Sequence, residues 1–155
     1  MRVSSVLAVA AGVSTASAAP TQAAAAAQSW EWAVTEWSAG YFKIAGVGDS
    51  TSKPATPSFK AYCNGAGEGA DYSACTILEE AETPYAVVAK LLPRAPATNE
   101  STSNPPVIQV SLQFTDLETP TTWWNYTGKA EARYNQFVAP AMNFTITPDT
   151  IHGVA

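Results

Sequence analysis

The chain has 155 residues, 46% of them hydrophobic, with 13 acidic and 8 basic side chains and a formal net charge of −5. That length suits one domain with a real core. The acidic balance argues against nucleic acid or an anionic membrane as partner, because affinity for phosphate comes from clustered Lys and Arg.

The N-terminus reads as a secretory signal. Arg2 is a minimal positive start, residues 3–13 are apolar or small, and Ala16-Ser17-Ala18 fits a small-x-small cleavage site before Ala19. The run is too short and too rich in alanine for a membrane anchor. Loss of residues 1–18 leaves seven basic against thirteen acidic residues, a net charge near −6, on a protein expected outside the cell. Residues 19–29, alanine-rich with no apolar stripe, read as a flexible arm. Residues 30–155 read as a single domain.

Within that domain a period of two recurs, the mark of half-buried strands. Trp30, Trp32 and Val34 alternate with Glu31, Ala33 and Thr35, and Trp37 breaks the alternation, which predicts a bulge or turn there. Residues 41–47 form a second strand, 49–57 a polar loop with two prolines, and 58–63 a third strand ending at Cys63. Asn64, Gly65, Gly67, Glu68, Gly69 and Asp71 then make a surface loop, since no strand or helix tolerates so many glycines. The loop ends at Cys75. In an oxidising compartment the only two cysteines are expected to pair, closing the loop and contributing about 3 kcal/mol.

Residues 76–83, with Glu79, Glu80 and Glu82, read as a solvated acidic loop with room for one helical turn. Residues 85–92 are strand-like between two prolines, and 94–106 is a proline-rich loop. Residues 107–115 alternate best of all, with Ile108, Val110, Leu112 and Phe114 on one face. Trp124, Tyr126, Ala130, Ala132 and Tyr134 share a face of the next strand, 124–134, and 143–151 forms the last one, interrupted by Pro148. About seven strands and no convincing helix predict an all-β fold, a compact antiparallel barrel or sandwich.

Little in this pattern carries chemistry. His152, the only histidine, is the fourth residue from the end and reads as an exposed tail residue, so no catalytic triad is expected. Two thiols and one histidine show no metal-ligand spacing, and neither a metal nor a cofactor is expected. Glu31, Glu36, Asp116, Glu118 and Glu131 are candidates for the paired carboxylates of a glycoside hydrolase. Three sequons occur, at Asn99, Asn125 and Asn143, with Asn99 in the most polar loop. Trp32 and Trp124 read as core. Trp123, pointing opposite to Trp124, reads as an exposed contact for a sugar ring or a partner's pocket.

The pattern WEWAVTEW followed by PSFKAYCNG and DYSAC resembles the small secreted fungal proteins similar to the major Alternaria allergen. The resemblance rests on Trp32, Val34 and Trp37 and on Phe59, Cys63, Tyr72 and Cys75, and it covers residues 30–75. It implies a barrel-like fold of about eleven short strands, no enzymatic activity, a dimer in some members, and a role in eliciting or damping plant defence. Some relatives bind plant defence proteins of the thaumatin-like type. This chain lacks their usual second disulfide and any extra cysteine to join subunits, so a homodimer would be non-covalent, through an open sheet edge.

The residues and the resemblance together lead to the expectation of a secreted, non-enzymatic fungal effector or elicitor that binds a host or environmental partner, a plant defence protein or a cell-wall glycan. Contacts are expected from Trp123 and from Asn64, Glu68 and Asp71. Two alternatives stand beside it: a module that binds cell-wall glycan through exposed tryptophan, and a small glycoside hydrolase.

Overall fold

Ten antiparallel strands make up two five-stranded sheets in the computed structural model, which describes residues 30–38, 40–94, 105–132 and 141–155. The signal-like segment, the arm, the sequon at Asn99 and Tyr134 lie outside the described residues. The strands are β1 (Trp32–Ser38), β2 (Tyr41–Gly46), β3 (Phe59–Asn64), β4 (Ser73–Ala74), β5 (Thr76–Glu79), β6 (Tyr85–Leu91), β7 (Val107–Thr115), β8 (Trp123–Glu131), β9 (Met142–Ile146) and β10 (Pro148–Val154). One sheet runs β5-β3-β2-β1-β9 and the other β10-β8-β7-β6-β4.

The inward faces follow the alternation in the sequence. On β7, Ile108, Val110, Leu112 and Phe114 are all buried. They meet Trp32 and Val34 of β1, Ile44 of β2 and Ala61 of β3 in one core. On β1 the break in alternation is a bulge. Glu36 adopts φ 56°, and the register shifts between Thr35 and Ser38 against β2 and between Val34 and Trp37 against β9. The extra residue turns Trp37 back inward, where it is buried against Phe42.

The fold is a sandwich, not a closed barrel, yet the sheets are tied at both edges by single-residue crossings. At Cys75 the chain passes from β4 in one sheet to β5 in the other, and at Thr147 from β9 to β10. The second crossing corrects the single last strand expected from the sequence. Pro148 pairs with Gly128 of β8, and a Cβ on that glycine would lie 2.6 Å from Ile146 Cγ2 and 3.0 Å from the Thr147 carbonyl oxygen. Only a glycine lets the corner sit down on β8.

Residues 76–79 also differ from expectation. They form β5, not a loop or helical turn, and pair with β3. The neighbouring crossing at Cys75 delivers them to the sheet edge, and a cross-strand ion pair joins Lys60 to Glu79 at 2.9 Å. Thr76 and Ile77 are β-branched and suit a strand, and Ile77 packs against the core, but the run is short and leads straight into the acidic residues Glu79, Glu80 and Glu82. The count is ten, not seven, because β4 and β5 are too short to read and the last strand is two.

Candidate functional site

The disulfide joins Cys63, at the end of β3, to Cys75, at the crossing between the sheets. Cys75 also donates its backbone N–H to the Val87 carbonyl of β6 at 2.8 Å. The bridge therefore closes the glycine loop and staples one sheet to the strand that leaves the other. Between its ends, residues 64–69 and 71 are exposed. The far side of the loop is latched to β6 and the segment beyond it: Gly69 N–H donates to the Leu91 carbonyl at 3.0 Å, and Glu68 pairs with Arg94. Glu68 is thus engaged within the molecule, which leaves Asn64 and Asp71 as the loop's outward polar groups.

Trp123 is exposed, as its position next to Trp124 predicts, with 41% of its surface accessible. It begins β8, pairing with Thr115 on one side and with exposed Val154 of β10 on the other. Trp124 is half-buried and Trp32 fully buried. Trp123 and the glycine loop do not meet. The loop bridges to Leu91, which pairs with Ile108, whereas Trp123 pairs with Thr115. Seven residues of β7 separate the two levels, about 23 Å at the usual strand rise. The contact candidates therefore form two surfaces at opposite ends of the sandwich.

The carboxylates considered for hydrolysis are engaged structurally or exposed. Asp116 and Glu118 do come together, in the turn after β7. Asp116 Oδ1 accepts the backbone N–H groups of Glu118 and Thr119 at 2.8 and 3.0 Å, and Oδ2 accepts the Trp124 indole N–H at 2.9 Å. The Trp124 hydrogen bond, more than any other contact, holds the Asp116 carboxyl below the usual range. A general acid needs the opposite shift. Glu118 bonds Lys53 at 2.7 Å, and the contact raises the lysine's pKa. Glu36 pairs with Lys43 at 2.8 Å, and Glu31 and Glu131 are exposed.

His152 is exposed but is not in a tail. It lies within β10, paired with Asn125, and among the described residues no side chain bonds its imidazole. No group of three or more potential metal ligands occurs among the described residues, and no helix there is long and apolar enough to cross a membrane. Of the two described sequons, Asn143 and Thr145 stand exposed on edge strand β9. Asn125 is half-buried, its Oδ1 accepting from Ser111 at 2.8 Å and Thr127 at 3.1 Å.

One feature has no clear signal in the sequence. Beneath the glycine loop, the ends of the two sheets leave a mainly apolar cavity walled by Trp37, Phe42, Leu91 and Ile108. The bulge that aims Trp37 inward is the nearest clue, but nothing in the pattern places the loop above it. No protein-family model, curated protein or solved structure matches the chain.

Proposed function

We propose that this protein is a secreted fungal effector or elicitor that acts without catalysis, by binding a host defence protein through the loop 64–71. The observation that carries the reading is mechanical. The loop is exposed, yet its ends are covalently joined and its far side is bonded to β6. A rigid scaffold that presents a short exposed loop is a common way to build a recognition surface, and pre-organisation lowers the ordering cost of binding. The signal-like N-terminus and the resemblance to secreted fungal proteins supply the setting.

The test is infiltration of purified protein into leaf tissue, read as an oxidative burst, beside an Asn64→Ala/Asp71→Ala variant checked for folding. The reading expects a response from the parent and a much weaker one from the variant. Equal responses would remove the loop from the account, and no response to the parent would remove elicitation.

Exposed Trp123 supports a second reading, stacking on a cell-wall glycan. Retention on chitin or cellulose that is lost in Trp123→Ala would favour it. A homodimer would use β10, an edge strand with exposed Ile151 and Val154. Sedimentation that shows only monomer at high concentration would remove that state.

A further inference from the structure

Two sequons lie within described strands, and the sequence does not rank them. Asn125-Tyr126-Thr127 and Asn143-Phe144-Thr145 share one frame, an aromatic residue between asparagine and threonine. The fold treats them differently. Asn125 stands inside its sheet, on β8, between Gln113 of β7 and His152 of β10. It is half-buried, and its Oδ1 accepts from the Ser111 and Thr127 hydroxyls. Thr127 Oγ1 also lies 3.0 Å from the oxygen of Ser111, which is itself 5% exposed. The asparagine and the hydroxyl of that tripeptide are both committed to the fold.

Asn143 lies on β9, which ends its sheet and pairs with β1 alone among the described residues. The β1 ladder runs through Thr145 and Phe144, skips Asn143 and resumes at Met142, because the bulge at Glu36 falls opposite it. The Asn143 side chain fills the break, its Oδ1 accepting the Glu36 backbone N–H at 3.3 Å. A backbone N–H needs an acceptor, so the amide oxygen faces the bulge and Nδ2 faces away. Asn143 and Thr145 are both exposed. Neither Nδ2 nor the Thr145 hydroxyl has a hydrogen-bond partner among the described residues.

The strand itself supplies an independent reason for a covering group. β9 reads MNFTI, with no charged residue, and Met142 is 37% exposed. Edge strand β5 carries Glu79, ion-paired to Lys60, and edge strand β10 carries Asp149. A sheet edge without charge is a template for another strand, and proteins blunt such edges.

We infer that Asn143 is an N-glycosylation site, that Asn125 is left bare, and that the glycan guards the β9 edge against pairing with other chains. Transfer joins Nδ2 to the anomeric carbon of an N-acetylglucosamine, breaks that carbon's bond to a lipid pyrophosphate, and releases one amide proton. Oδ1 is untouched and keeps its bond to Glu36. Transfer takes place only along the secretory route, so the site rests on the same signal-like N-terminus as the proposed function.

The test expresses the full chain with its own N-terminus in yeast. Protein from the medium is freed of glycans enzymatically in heavy-oxygen water, which turns each glycan-bearing asparagine into a labelled aspartate in peptide mass spectra. The expected result is a label at Asn143 and none at Asn125. Thr145→Ala removes the sequon and keeps the Asn143–Glu36 bond, whereas Thr145→Ser keeps both. With matched melting temperatures, light scattering should show Thr145→Ala associating at several-fold lower concentration than Thr145→Ser and the parent. Secreted protein without the label at Asn143, or with one at Asn125, would overturn the inference. Equal association of the two Thr145 variants would overturn the guarding role. Protein that stays inside the cell would remove the secretory reading and the glycan site with it.

Discussion

Single side chains divide here into those that hold the fold and those that face outward. Asp116 belongs to the first kind. Because the Trp124 hydrogen bond depresses its folded pKa, its contribution is fully present above the unfolded carboxylate value of about 3.8 and is lost as pH falls through the lower folded value. Asp49, lowered chiefly by its bond to the Thr51 side chain, acts in the same direction. Melting temperature measured from pH 7 down to pH 2 should therefore show Asp116→Asn well below the parent at neutrality, with the gap closing below pH 3.8. A constant gap would contradict this. Trp32 and Trp123 make a second contrast. Trp32→Ala empties a fully buried site and should cost about 3–5 kcal/mol in urea unfolding. Trp123→Ala should cost about 1 kcal/mol or less. At this scale the sequence was legible wherever two neighbours in a strand must face opposite ways. It could not show that Asp116 serves a turn and an indole, since that bond depends on Trp124 returning beside it along β8.

Strands and their connections were readable in proportion to their length. β7 alternates over nine residues and is paired throughout its length with β8. β4 has two residues and β5 four, too few to show a period, and both exist because a crossing places them against a neighbour. The corner at Thr147 was marked by Pro148, but a proline signals an interruption without saying that the chain changes sheets. Gly128 carries that information. Gly128→Ala should destabilise by about 1–3 kcal/mol, because its Cβ overlaps buried Ile146 and the Thr147 backbone. Gly65→Ala, which meets open space, should be close to neutral in the same unfolding series. If the two variants behaved alike, the corner would not be the tight contact described. The disulfide acts at the opposite crossing. Cys63→Ser/Cys75→Ser should lose about 2–4 kcal/mol, seen as a lower urea midpoint, and a parent-like midpoint would show that the staple adds nothing.

The whole molecule is a sandwich whose two ends differ. One end carries the glycine loop and the cavity with Trp37. The other packs Trp30, Trp32, Phe59, Phe114 and Tyr126 together, with Trp123 outside. The sequence put both contact candidates in view and could not separate them, because the distance between them is set by the register of β6, β7 and β8. That separation makes the functional proposal decidable. The direct measurement is calorimetric titration of the protein with a purified thaumatin-like plant defence protein, using the parent, Asn64→Ala/Asp71→Ala and Trp123→Ala. The account predicts saturable binding that the loop variant loses and Trp123→Ala keeps. Absence of binding by the parent, or loss in Trp123→Ala with the loop variant unaffected, would contradict it.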